Sequence, residues 1–282
     1  MIDVGITVYL DDNIMSIIEF GWLYQSWIYT GCYEMSDIIV FHNPKLKKEL
    51  LPKHENIIYA PLVPLSETDE EWAYYPHING TWFLTTKEAT FITKYKYILR
   101  TDPDCFLTSN FKNLRPRLAL FGLSAFTKRP DVTEKLLRIS TDWGIDQYYI
   151  NIGGTIMTFS DDVINFSNLQ LEYCEKLRDE EFKEGFGEWP GWYKRVINMY
   201  AGQLAANAVF SNNMILGGLD VFCMSDDEIC PQDYHIHAWQ TWNYFSKMRW
   251  HKGEYDNVDC DKLNKNIISD YCMWIAGKRV IK

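Results

Sequence analysis

The sequence has no C-x-x-C pair among its seven cysteines, Cys32, Cys105, Cys174, Cys223, Cys230, Cys260 and Cys272. That excludes a zinc knuckle and gives no sign of a disulfide framework; scattered thiols fit a reducing compartment. Cations are also scarce: 28 Lys and Arg stand against 38 Asp and Glu, a formal charge of −10. No stretch gathers the basic run that neutralises a phosphate backbone, so nucleic acid is not an expected partner. No window approaches the roughly 20 apolar residues of a membrane-spanning helix. The first ten residues carry Asp3 and lack the basic flank and cleavage site of a secretory signal. These absences point to a cytoplasmic protein with no membrane insertion, and on that reading the sequons at Asn79 and Asn165 are chance matches.

What is present is enough for a large core. Of 282 residues, 47% are hydrophobic and 23% charged, far from the composition of a disordered chain. Val4 to Leu10 reads as a buried strand, and Asp11, Asp12 and Asn13 can cap an amphipathic helix from Ile14 to Tyr29 that Gly31 closes. Asp37 to His42 is a second strand, Lys45 to Leu51 a short helix, and Ile57 to Val63 a third strand. This alternation builds a parallel sheet with helices on its faces, whose ligands sit at the carboxyl ends of the strands. Further helices are expected over Thr81 to Ile92, Val132 to Ser140, Leu169 to Arg178 and Ala201 to Phe210. Further strands are expected over Lys96 to Arg100, Gly154 to Phe159 and Leu219 to Met224. No linker, repeat or low-complexity tract divides the chain, so the expectation is one α/β domain with two lobes, about 1–125 and 126–282. Asp179 to Gly191, with three glycines and Trp189, reads as a solvated loop or a lid.

The feature richest in chemistry is Asp102-Pro103-Asp104, directly after the expected strand ending at Arg100. Two carboxylates one residue apart can offer hard oxygen ligands to Mg²⁺ or Mn²⁺, ions often held by one or two carboxylates plus substrate phosphates. The adjacent Gly153 and Gly154 imply close approach of a backbone or a ligand, or a simple bulge. In Tyr234-His235-Ile236-His237-Ala238-Trp239, an extended backbone would put both histidines on one side, where both can face a metal although only one need bind. His237 is favoured because it lies nearer Lys247 and Lys252; His251 follows as a third imidazole in a chain with only six. The 11 Trp and 18 Tyr suit sugar stacking as well as core packing.

Together these motifs, spanning about residues 3 to 255, resemble the GT-A glycosyltransferases. The resemblance implies a mostly parallel central sheet flanked by helices, with the N-terminal lobe binding nucleotide. It gives Asp102 the ribose or the metal's water shell, Asp104 and His237 the divalent ion, and Lys247 or Lys252 the phosphates of a UDP-sugar donor. Uracil would lie near Thr7, Val8 and Tyr9, and Asn151-Ile152-Gly153-Gly154 is similar to the turn that meets donor sugar and acceptor. Tyr200-Ala201-Gly202-Gln203 resembles the helix start of retaining members, where Gln203 would sit beneath the anomeric carbon. Inverting members instead carry a carboxylate base, for which Glu188 and Asp146 are the candidates, because the acceptor hydroxyl must lose its proton as it attacks. Within the superfamily the likeness extends to soluble enzymes of large algal DNA viruses, the chloroviruses, which implies capsid-glycan synthesis in the host cytoplasm and a xylosyltransferase using UDP-xylose.

Two other classes compete. A non-catalytic carbohydrate-binding protein would use the aromatic rings for glycans and the acidic pair for structural Ca²⁺. A metal-dependent nucleotide-sugar hydrolase or phosphatase fits less well, since such folds usually place the acidic pair after the first strand and no Walker-type run is present.

Overall fold

The computed structural model describes residues 2–126, 129–239 and 245–278. Its elements begin β1 (Val4–Leu10), α1 (Ile14–Thr30), β2 (Ser36–His42), β3 (Ile57–Pro61) and the single-turn helices α2 (Leu65–Thr68) and α3 (Asn79–Trp82). Then come β4 (Tyr97–Arg100), β5 (Cys105–Leu107), β6 (Ala119–Leu123), α4 (Pro130–Asp142), β7 (Ile152–Phe159), α5 (Ser160–Glu180) and α6 (Ile197–Phe210). The chain ends with β8 (Met214–Leu219), β9 (Val221–Phe222), β10 (His235–His237), α7 (Lys247–Trp250) and α8 (Ile268–Gly277). Two compact units result, one of Met1–Pro61, Thr101–Arg115 and Gly218–Lys282, the other of Leu62–Arg100 and Pro116–Gly217.

In the first unit β1 pairs in parallel with β2, from Val4 opposite Ser36 to Leu10 opposite His42, and β2 pairs in parallel with β3. Every residue of β1 is buried, as expected for a strand covered on both faces. The crossover is α1, whose Asn13 cap accepts the Ser16 N–H at 2.8 Å and whose end is closed by Gly31 at φ 71°. A second, three-stranded sheet has the order β5-β10-β9, with β10 antiparallel to β5 and parallel to β9. Trp22 of α1 stacks on Phe106 of β5 at 5.6 Å and meets Phe245 edge-on at 5.8 Å. Such pairs add about 0.5–1.5 kcal/mol each beyond their burial. Tyr271 of α8 donates its hydroxyl to the Leu107 carbonyl, fixing α8 to the same core.

The second unit orders its strands β4-β7-β6-β8, and β7 runs antiparallel to both β4 and β6. Helices α5 and α6 cover it, with Phe121, Phe166, Ala205 and Ala206 in one apolar cluster. The fold class is α/β, with sheets flanked by helices; the parallel part is β1 to β3, and the β4-β7-β6 ladder is antiparallel.

Three local expectations change. Lys45 to Leu51 contains only a 3₁₀ turn, Lys48–Leu50. Thr81 to Ile92 is not one α-helix but α3 followed by 3₁₀ turns to Lys94. The cause lies in the threonines: Thr85, Thr86, Thr90 and Thr93 each donate a hydroxyl to the carbonyl three residues back, at 2.8–3.0 Å, the local bonding that competes with α-helix. The strand expected over Leu219 to Met224 is cut at Asp220, whose φ is +54°, leaving β8 and β9. All seven cysteines are free, and among the described residues no helix is long and apolar enough to cross a membrane. Asn79 is buried and bonded to Ser66, so its sequon is closed in this fold.

Gly218 is the penultimate residue of β8. At φ +77° it accepts the Tyr234 N–H at 2.9 Å, and a Cβ there would lie 2.6 Å from the Gln232 carbonyl oxygen. Gly218→Ala is expected to cost about 1–3 kcal/mol of unfolding free energy through left-handed strain and this clash. Urea denaturation checks it, and an unchanged midpoint would contradict the close approach.

Candidate functional site

The first unit brings the acidic pair and the two histidines together because β10 lies beside β5, with His237 opposite Cys105. The Ala238 N–H also donates to the Asp104 carbonyl at 2.9 Å, locking the loop after β4 to the end of β10. His237 Nε2 then lies 3.2 Å from Asp104 Oδ1 and 3.8 Å from Asp102 Oδ2. On its other edge, His237 Nδ1 is 3.3 Å from Asp220 Oδ1. Lys247, the first residue of α7, donates to Asp104 Oδ2. The two acids differ sharply in exposure: the Asp104 side chain is 5% exposed and that of Asp102 59%.

Burial alone would raise the Asp104 carboxyl, but the charges of Lys247 and His237 outweigh it and hold it well below the usual carboxylate range. Burial likewise opposes a proton on His237, and the Asp104 and Asp220 carboxylates overcome it, holding His237 well above the ordinary histidine value. Lys247 is raised too, against its own burial, by Asp104 and Glu19.

The two histidines share one face, as the alternation implies, yet do different work. His235 is wholly buried, accepts the Asp220 N–H at Nδ1 (3.2 Å) and meets Thr101 Oγ1 with Nε2 at 2.7 Å. Burial lowers its pKa to about 4, so it is a neutral, fully engaged imidazole. His251, the third candidate, pairs with Glu19 at 2.9 Å and stacks on Trp22.

A divalent ion fits this donor set. Asp104, Cys105 and His237 present ligand atoms within 4.8 Å of one another. Cys105 is a poor member of that set, because burial, followed by the surrounding carboxylates, pushes its thiol well above the usual range, and only a thiolate ligates. Asp102, with Oδ2 3.8 Å from His237 Nε2, adds a hard oxygen within reach of an ion held by Asp104 and His237 or of a water on it. Three acids, Asp102, Asp104 and Asp220, face one lysine and one protonatable imidazole, leaving room for more positive charge.

The remaining sequence candidates lie elsewhere. Thr7 and Val8 have no exposed surface and Tyr9 is 6% exposed, so all three belong to the packed interior of β1. Lys252 is exposed, just beyond α7. In the second unit, Gly153 and Gly154 open β7, and a Cβ on Gly154 would meet nothing within 4 Å. Asn151 before them is left-handed at φ +56°. Gln203 is buried on α6, its Oε1 accepting the Asn151 N–H at 2.7 Å while Nε2 has no partner among the described residues. Glu188 and Asp146 are exposed. Sequence reasoning missed Asp220 and Glu19, neither of which stands in a motif.

Residues 1–279 match a family model described as "Domain of unknown function (DUF7164)". The chain belongs to that family. No curated protein matches it. Among solved structures, the galactosyltransferase LgtC in complex with donor and acceptor sugar analogs is similar at 12% identity over 76% of this chain and 73% of that chain, with a TM-score of 0.46. An active-site mutant of LgtC is similar at 12% identity over 76% and 72%, with a TM-score of 0.48. Likenesses this weak carry nothing about the chemistry of the site, which rests on its own residues.

Replacing His235 by alanine removes the imidazole that accepts the buried Asp220 N–H and takes away the shortest contact of the Thr101 hydroxyl, which keeps the Asp102 carbonyl and Cys105 Sγ at 3.3 Å. His235→Ala is expected to lower unfolding free energy by about 1–3 kcal/mol, measured in EDTA. Unchanged stability would show that His235 is not the structural member of the pair.

Proposed function

We propose that this protein is a metal-dependent glycosyltransferase that moves a sugar from a UDP-sugar to a glycan hydroxyl. The observation carrying the reading is the convergence of Asp102, Asp104 and His237 at the end of a strand, with Lys247 on the same carboxylate. Asp104 and His237 would hold Mn²⁺ or Mg²⁺ directly, and Asp102 would touch ribose or a metal-bound water. When bound, the ion supplies Lewis-acid neutralisation of the departing diphosphate. Lys247 adds a fixed cation beside it, and Lys252 lies a short way along the chain for the same anion.

For the acceptor proton, Glu188 and Asp146 are exposed carboxylates able to accept it, and the Gln203 oxygen accepts the Asn151 N–H with one of its two lone pairs. If the reaction inverts, Glu188 is the first candidate base and Asp146 the second; if it retains, Gln203 is the candidate beneath the anomeric carbon. The uracil position near Thr7, Val8 and Tyr9, the approach of donor sugar to Gly153 and Gly154, and xylosyl transfer in viral capsid-glycan synthesis in the host cytoplasm are proposals supported by sequence resemblance alone. The second reading, a non-catalytic glycan-binding protein, draws on exposed Trp189 and Phe186.

Incubation with a panel of UDP- and GDP-sugars, Mn²⁺ and glycan acceptors should release UDP, and EDTA should stop it. Asp104→Ala is expected to lower turnover by about two to three orders of magnitude, the several kcal/mol of Lewis-acid help expressed as rate. Near-normal turnover of Asp104→Ala in EDTA would overturn the metal's role, and glycan binding with no UDP release would favour the lectin. Proton NMR of the first-formed product tests the base assignment: an α product from a UDP-α-sugar removes Glu188 and Asp146 and leaves Gln203.

A further inference from the structure

We propose that Asp220 is a positioning residue for the metal centre: its carboxylate accepts a hydrogen bond from His237 Nδ1–H and so holds the ring with Nε2 turned toward Asp102 and Asp104, where an ion bound by these residues would take its lone pair. The inference deepens the metal-dependent reading above and rests on it. Asp220 lies behind the imidazole. It faces Nδ1 at 3.3 Å, while Nε2 points to the acidic pair, so the ring separates Asp220 from the ion's position.

Two histidines surround this carboxylate, and hydrogen bonding decides between them. His235 Nδ1 is 3.6 Å from Asp220 Oδ1, but that nitrogen accepts the backbone N–H of Asp220 itself at 3.2 Å. An accepting Nδ1 carries no proton; the single proton of this neutral ring is on Nε2, which donates to Thr101 Oγ1 at 2.7 Å. His237 is therefore the imidazole to which the carboxylate is assigned. A metal-bound imidazole whose second nitrogen donates to a carboxylate is fixed in tautomer and in ring orientation, and is the more basic ligand. The backbone suits this role, because Asp220 sits between β8 and β9 at φ +54°, with its side chain 1% exposed. Asp and Asn occupy that conformation far more readily than most residues.

Asp220→Asn tests the proposal because asparagine is isosteric and tolerates the same backbone, but removes the charged acceptor. Mn²⁺ binding to the full chain, followed by the electron paramagnetic resonance of free Mn²⁺, is expected to weaken about 10–100-fold. Melting in EDTA checks that the fold is unchanged. Equal affinity of the variant and the wild type overturns the role of Asp220 and leaves the metal reading standing. If the wild type binds no Mn²⁺, the metal reading fails and this inference with it. Should the variant not fold, wild-type protein with ¹⁵N-labelled histidine and ¹¹³Cd²⁺ decides. Cadmium coupling to His237 Nε2 with a proton on Nδ1 supports the proposal, and cadmium on Nδ1, or no proton there, overturns it.

Discussion

A buried carboxylate, that of Asp104, sets the terms for the first unit. Taking such a charge out of water costs several kcal/mol unless partners with good geometry offset it. The compensation comes from far along the chain: His237 arrives on β10 and Lys247 on α7, and the Ala238 N–H ties the backbone itself to the Asp104 carbonyl. The segment from Gly218 onward thus has an electrostatic reason to return to the loop after β4, besides the apolar one given by Trp22, Phe106, Phe245 and α8. Removing one cationic partner would leave a buried charge uncompensated, the strongly destabilising half of the buried ion-pair rule.

The same constraint explains how much of the protein is legible in its sequence. β1, the α1 crossover and β2 are readable because a β-branched run, a side-chain cap and a closing glycine all point to one answer. Expectation failed where local bonding or tertiary packing decides. Threonine hydroxyls turned Thr81 to Ile92 into 3₁₀ turns, and β6, a mere five residues, is a strand because β7 pairs with it. The first half of α5 begins Ser160-Asp161-Asp162, polar residues whose apolar partners Val163 and Phe166 are too sparse to announce a helix. In the candidate site, Asp102, Asp104, His237 and Lys247 are visible as motif residues, whereas Asp220 is not, because its value comes from a bend between β8 and β9 that sets it beside His237 of β10.

The hard and soft donors around Asp104 sort themselves by burial. Cys105 is adjacent in sequence and close in space, but an enclosed thiol beside three carboxylates keeps its proton. The Asp104 carboxylate oxygens are already ionised there, and His237, held protonated by Asp104 and Asp220, gives up its Nε2 proton to a bound ion; oxygen and imidazole together favour a hard or borderline ion over a thiophilic one. The chain thus has a cysteine within reach of the candidate centre without the electrostatics to make it a ligand.

What remains is the division of labour inside β10. Period-two alternation places His235 and His237 on one face, and by itself would make them equivalent. They are separated by the residue opposite them, since the backbone N–H of Asp220 takes one imidazole and its carboxylate faces the other. A single left-handed residue thereby interrupts β8 and β9, satisfies a buried structural histidine, and turns its carboxylate to the ring that faces the acidic pair. A non-glycine residue held at positive φ costs stability on its own, and such costs persist where the surroundings over-determine the conformation. Here the over-determination comes from Gly218 locked to Tyr234 on one side and β9 paired to β10 on the other. The departure from local preference thus lies directly behind the residues with metal-ligating chemistry, which is where a folded chain has reason to keep it.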